Sequence, residues 1–414
     1  MLFGHEATEG ILMRIQGIKK LYAARGYVVK SITIKGASKT VILKRDKRFG
    51  NSCPVCLSER TRFHKAVMQS ARDYPIGDAV FTDIHYPAVQ VYCIPCGQYR
   101  TRRPSLMDEH AKVTRRYMEY VSRLCRKDPA NDVAELLGHS PTSICEWDEQ
   151  VLRRKLPKPN LNRLRVLLVD EKSVRKGHNY VTVVMNGDTR EVLFLEEGRK
   201  RETLMRFFDR LTPAQKQRIQ AVGIDRGGAY LSAVREALPE AAVVFDKFHL
   251  IQNMNAAMDE IRRSEYRKAL KEKSATASLI KGQRYNLFRL AENRTEAQSI
   301  RLQELLAANA TLSMAHMLCE ELRLLWGYRH RGYAERFLKN WVSLVEESGI
   351  AELLRFAKGL WRSRVEVLNY TSHQVTTGPL ESLNNIIEQI LRRSCGMRNI
   401  EYLYLKVRQA SLDS

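Results

Sequence analysis

Apolar and polar residues alternate along Tyr27 to Lys35 (YVVKSITIK) and Lys39 to Arg45 (KTVILKR), with Gly36, Ala37 and Ser38 between them. A period of two broken by a glycine-bearing turn predicts a β-hairpin. Ahead of it, Ile11 to Leu21 is amphipathic. From about Asp108 the period lengthens: Val113, Tyr117, Tyr120, Val121 and Leu124 recur at helical spacing, and helices are expected to about Arg154. KLPKPN, Lys155 to Asn160, is basic and carries two prolines, which predicts a linker. Short strand-like runs follow at Val166–Val169, Tyr180–Met185, Val192–Leu195, Ala221–Ile224 and Ala242–Phe245, with a helix expected over Tyr230–Ala237. Three close strands, then strand, helix, strand, predict a mixed α/β sheet. Leu250 to Asn369 reads as helix almost throughout, and a final helix is expected from Pro379, followed by Gly396.

A chain of 414 residues is too long for one ordinary core, so several domains are expected. No apolar run reaches the ~20 residues of a membrane span and no segment resembles a signal peptide, which predicts a cytoplasmic protein without a membrane partner. Lys and Arg total 69 against 46 Asp and Glu, a formal charge of +23. Such an excess favours a polyanion as partner, through counterion release and long-range steering. The first 160 residues hold 28 of these basic and 16 of these acidic residues, so positive charge is denser in the front part.

Four of the eight cysteines form two C-x-x-C pairs, CPVC (Cys53, Cys56) and CIPC (Cys93, Cys96). Two residues between thiolates let one tight turn offer both sulfurs to one tetrahedral Zn²⁺, and two turns complete the shell. A redox dithiol is the competing reading, and His64 and His85 are alternative ligands. Cys125, Cys145, Cys319 and Cys395 stand alone and are expected to be packing residues.

PANDVAELLGHSPTSICEWDEQVLRRK has the punctuation of a helix-turn-helix. Val133, Leu136 and Leu137 make an apolar face, Gly138 ends the first helix, and Ser140 with Pro141 opens the second. Ile144, Trp147 and Val151 would pack the pair together. Thr142 and Ser143 stand near the second helix's start as base readers, with Arg153, Arg154 and Lys155 for phosphates. Glu146, Asp148 and Glu149 would oppose phosphate if exposed, and a plain α-hairpin is the alternative.

In RLRVLLVDEKSVRKG an apolar run stops at Asp170 and Glu171, and in AVGIDRGGAY another stops at Asp225. Acids closing the first and fourth strands face each other if those strands are neighbours. Glu381 in TTGPLESLNN, near a helix start, would complete a set able to share Mg²⁺ at a phosphodiester. Glu171, Asp246 and Glu388 compete for these places, and in DKFH, Asp246 to His249, the two end residues are candidates to buttress the site.

Taken together these stretches resemble the DDE transposases of bacterial insertion sequences, specifically the ISL3 family. The resemblance rests on the paired C-x-x-C motif with YRTRRP after it, the helix-turn-helix, VDEKSVRKGHNY, GIDRGGAYLSAVREALPEAAVVFDKFHLIQNMNAAMDEIRR, KGQRYNLFRLAEN, and TTGPLESLNNIIEQILRRSCGMRNIEYLYLKVR. It implies a zinc-binding domain over 1–106, a helix-turn-helix segment over 107–155, and a ribonuclease-H-like α/β catalytic core over 162–250 and 371–414, interrupted by an α-helical insertion over 251–370. It implies Asp170, Asp225 and Glu381 as the triad holding Mg²⁺ or Mn²⁺, with Asp246 and His249 in support. It implies metal-dependent cleavage at terminal inverted repeats, joining of the 3′ ends to target DNA, at least a homodimer, and a nucleoid-associated location. The chain departs from the family pattern at Thr377, Cys395, Met397 and Arg226, the last standing where an apolar residue is expected. Two other readings are a DNA-binding regulator without catalysis and a structure-selective nuclease on the same fold.

Overall fold

The computed structural model describes residues 20–75, 81–108, 112–175, 177, 179–226, 228–394 and 396–413, so most of the stretch from Ile11 to Leu21, and Cys395, lie outside the described residues. Two compact units part between Lys155 and Leu156.

In the first unit the expected hairpin forms, β1 (Tyr27–Lys35) pairing antiparallel with β2 (Ser38–Arg45). Three further strands complete the sheet: β3 (Thr61–Asp73), β4 (Phe81–Cys93) and β5 (Gln98–Arg102). Strand β4 is central. It pairs with β3 along nearly its whole length, and on its other edge with β2 over its first half and β5 over its second. Tyr22, Tyr27, Val41, Leu43 and Ile84 fill the core beneath.

Helices α1 (Arg115–Leu124), α2 (Ala130–Leu137) and α3 (Pro141–Lys155) follow. Gly138 takes the left-handed conformation, φ 67°, that closes α2, and Ser140 Oγ accepts from the Ser143 amide at the start of α3. Val133, Ile144, Trp147 and Val151 bury the seam between them. Leu136 does not join it: it is 68% exposed, because the buried stripe of this short helix runs through Val133 and Ala134. Asp148 is also a correction. It is buried and accepts from Ser122 Oγ at 2.6 Å, so it fastens α3 to α1 and presents no charge outward. At the far end of β3, Asp73 accepts from Thr114 Oγ1 at 2.5 Å and Arg116 Nε at 2.7 Å, which ties the sheet to the start of α1.

The second unit is built on a sheet of order β10–β9–β6–β7–β8: β6 (Val166–Arg175), β7 (Asn179–Asn186), β8 (Val192–Glu197), β9 (Ala221–Ile224) and β10 (Ala242–Phe245). The first three are antiparallel; β9 and β10 run parallel to β6. Successive residues of β6 go to opposite faces. Leu167 and Val169 pack with α4 (Arg201–Phe208), α5 (Gly228–Ala237) and α6 (Lys247–Lys271), whereas Leu168 packs with a helix pair on the other face, α8 (Gly378–Arg393) and α9 (Ile400–Asp413). Between α6 and α8 the chain is helical, the long members being Glu296–Ala308, Ala310–Arg323, Arg331–Ser348 and α7 (Ala351–Arg362). Trp341 is fully buried among them, its indole N–H donating to the Leu318 carbonyl.

Two strand-and-helix expectations change. Asp170 does not close β6, which continues to Arg175 because the antiparallel ladder with β7 runs on past it. Only the parallel ladder with β9 ends, at Leu168. The helix from Pro379 is not the last, since Gly396, at φ 94°, turns the chain into α9.

Candidate functional site

Strand register gathers the acids. Leu168 lies opposite Gly223 and Phe245 opposite Ile224, so continuing each parallel ladder by one or two residues brings Asp170, within β6, into one row with Asp225 and Asp246, just past the ends of β9 and β10. Asp170 shares the face of Leu168, the side covered by α8. Gly223 makes that cover fit: a β-carbon there would fall 2.6 Å from Val375 Cγ1 and 3.0 Å from Leu168 Cδ2.

Leu380, Leu383 and Ile387 bury one stripe of α8 against the sheet, worth about 1.5–3 kcal/mol each. The adjoining stripe carries Glu381, Asn384 and Glu388, three and four residues apart. Asn384 Nδ2 donates to Asp170 Oδ2 at 2.8 Å, and the Glu171 amide donates to Asp170 Oδ1 at 2.7 Å. Burial still raises the Asp170 carboxyl above the usual range, against those two hydrogen bonds. Glu381 sits exposed in the first turn of α8, one turn before Asn384, where the helix dipole favours an anion.

Asp246 is buried and caps α6, accepting from the His249 amide at 3.3 Å and ring Nδ1 at 2.9 Å. Burial works to raise its carboxyl; hydrogen bonds from His249 and the Thr377 hydroxyl outweigh this and hold it below the usual range. His249 Nδ1 also lies 3.7 Å from Asp225 Oδ1. The bond to Asp246, then the Asp225 charge, lift the imidazole to about 9 despite burial, so it is an imidazolium at neutral pH. The competitors have other partners. Glu171, of opposite parity, lies 3.7 Å from Arg199, and Glu388 pairs with Lys172 at 3.4 Å.

Among the described residues, the four cysteines are the one group of three or more His, Cys, Asp or Glu side chains gathered closely enough to hold an ion. Asp170, Asp225 and Glu381 are not gathered so. The sulfurs of Cys53, Cys56, Cys93 and Cys96 all lie within 4.8 Å of one another, with Cys56 and Cys93 at 3.4 Å. Tetrahedral zinc with bonds of about 2.3 Å needs sulfurs about 3.8 Å apart, so the donor set fits. Both turns are built alike: the residue after each pair has positive φ, Leu57 at 58° and Gly97 at 62°. Burial acts to raise the Cys53 thiol, but backbone amides of Cys56 and Val55 bring it down to about 7; burial pushes Cys93 up to about 12. His64 stands apart on β3, its ring 4.9 Å from that of Tyr99, and His85 lies in β4 opposite Ile42 and Ser70.

On α3, Thr142 is exposed and Ser143 half-buried, its hydroxyl receiving the Ser140 hydroxyl. Arg153 pairs with Glu149 at 2.6 Å, Arg154 lies 3.7 Å from Asp108, and Lys155 is 2.8 Å from Glu119. Sequence reasoning missed Asn384 and the hydroxyl role of Thr377. The i, i+3 spacing of Glu381 and Asn384 was the available signal for the first; nothing in the sequence announced the second.

A family model of ISL3-type DDE elements, described as a transposase, matches residues 167–407. The chain is 32% identical, over 86% of its length and 88% of the relative's, to a transposase for insertion sequence element IS1001 of Bordetella parapertussis. It is 27% identical, over 58% of each chain, to a transposase for insertion sequence element IS1557 of Mycobacterium tuberculosis.

Proposed function

The chain belongs to the ISL3 family of DDE transposases, and from that premise we propose that it binds the terminal inverted repeats of its own insertion sequence, cleaves the DNA there and joins the freed 3′ ends to target DNA. The observation that carries this is the row of Asp170, within β6, and Asp225, just past the end of the neighbouring parallel β9, with Asn384 hydrogen-bonding Asp170 from the helix that bears Glu381. A strand order of 3-2-1-4-5, antiparallel on one side of the first strand and parallel on the other, supports a ribonuclease-H-like core over 162–250 and 371–414, with 251–370 as a helical insertion.

Asp170, Asp225 and Glu381 are assigned as the carboxylates that hold Mg²⁺ or Mn²⁺. The donors fit in kind, and would have to close on the ion to bind it: all are oxygens, and a half-buried carboxyl whose ionisation is disfavoured gains from added positive charge. Divalent cation bound there supplies Lewis-acid charge at a phosphodiester. Asn384 orients Asp170 for this role. Asp246, through His249, holds the imidazolium against Asp225 and keeps that carboxylate aimed.

In the front part, 1–106 is assigned as a zinc-binding domain and 107–155 as a helix-turn-helix. Thr142 and Ser143 read bases, and Arg153, Arg154 and Lys155 exchange their carboxylate partners for phosphates. Joining two ends at once calls for a homodimer or larger assembly, on nucleoid DNA.

The test is cleavage of end-containing DNA in Mg²⁺ by the full chain. Asp170→Ala, Asp225→Ala and Glu381→Ala are each expected to lower the rate by at least about a thousandfold with end binding retained. Unchanged activity in these variants would leave a DNA-binding regulator, and cutting of junctions without end joining would indicate a nuclease.

A further inference from the structure

Arg226 follows Asp225 directly, and its guanidinium does not turn back to the acids. Its Nη2 end reaches Gly359 of α7, where an added β-carbon would fall 2.6 Å from Nη2, 3.3 Å from Nη1 and 3.4 Å from Cζ. Among the described residues this guanidinium meets no carboxylate and makes no hydrogen bond, although its own backbone amide caps the Asp225 carboxylate. The chain's other arginines near acids are mostly paired, as Arg199 is with Glu171 and Arg235 with Glu366.

A glycine at the ninth position of a twelve-residue helix, in its last turn, lowers helix stability by up to about 1 kcal/mol relative to alanine. The neighbouring positions of α7 are ordinary: Leu353, Phe356, Ala357 and Leu360 are buried and pack the helix into the insertion. Gly359 is the point at which the helix lets a planar cation approach its backbone. A guanidinium held by packing alone keeps all five donors for a ligand, and its fork matches two oxygens of a phosphodiester.

We propose that Arg226, seated on Gly359, binds a phosphodiester at or immediately beside the scissile position. The helical insertion thereby positions a substrate-binding residue of the catalytic core. This rests on the reading of Asp225 as a catalytic carboxylate. Arg226 makes the ligand contact; Gly359 acts through it.

The experiment measures binding rather than turnover. The full chain carrying Asp170→Asn, which cannot cleave, is titrated with end DNA bearing a single neutral methylphosphonate at the scissile position or at either neighbouring phosphate. With Arg226 intact, one of the three replacements is expected to weaken binding about tenfold. In Arg226→Gln that penalty disappears, since there is no cation left to miss the charge. Gly359→Ala is expected to shrink it as well, while raising Tm through better helix propensity. That combination separates a displaced arginine from a damaged fold.

A full penalty in Arg226→Gln, or no penalty at any of the three positions with Arg226 intact, overturns the proposal. A full penalty in Gly359→Ala beside a lost one in Arg226→Gln overturns the seat. Cleavage by the unsubstituted chain and its loss in Asp170→Ala report separately on the functional reading, because neither depends on the methylphosphonate comparison.

Discussion

The cysteine group and the acid group are assembled by opposite means. Each cysteine pair is closed by one tight turn, and one register, Thr61 opposite Cys93 and Cys93 opposite Gln98, sets the two turns side by side. The acids come from the middle of one strand, the end of its neighbour and a helix, spread over more than two hundred residues of sequence. Strand register brings Asp170 and Asp225 together, but Glu381 is delivered only by the packing of α8. Local turns thus yield four donors within 4.8 Å, while tertiary packing leaves the acids in a looser arrangement. A structural ion can be built into short-range geometry. The acid group instead depends on how a helix docks on a sheet.

Loss of the zinc proposed for the cysteines should have the largest effect. Chelation, or Cys53→Ser, is expected to unfold the unit before Lys155 with a loss on the order of 10 kcal/mol. Calorimetry should show the transition of the second unit unmoved; joint loss of both would break the contrast. Next is Gly223→Ala, whose methyl meets Val375 and Leu168 and is expected to lower stability by about 1–3 kcal/mol. Because Leu168 and Asp170 share a face, cleavage should fall further than stability explains, which denaturation curves and single-turnover rates would compare.

Asp170→Asn sharpens the difference in sign. A carboxyl raised in the folded state favours folding at pH below its unfolded value, and that contribution is lost as pH rises through the folded one. The amide should therefore raise Tm at neutral pH, and the gain should vanish toward pH 3, whereas serine at a cysteine only destabilises. The smallest effect is Leu57→Gly. Relief of left-handed backbone, less the extra freedom of unfolded glycine, is expected to give about 0.5–1 kcal/mol, read as a small rise in Tm of the first unit.

Much of this was legible in the chain. C-x-x-C spacing announced the cysteine turns, and apolar runs announced β6 to β10 because those strands are buried on both faces. The first-unit sheet was not visible beyond its hairpin: β3 is exposed over most of its length on both sides and so shows no alternation. The burial of Asp148 depends on Ser122, twenty-six residues earlier, which no helical period reveals. Parity of Asp170 toward α8, and the packing of Arg226 against Gly359, follow from register and docking between distant segments. Spacing along the chain carries neither.

Strand β3 has its first residue beside Cys93 and its last clamped to the start of α1 by Asp73. Thirteen extended residues measure about 40 Å. The strand is therefore a strut with the cysteine turns fixed at one end and the start of α1 at the other, so a shift in its register against β4 would move both together.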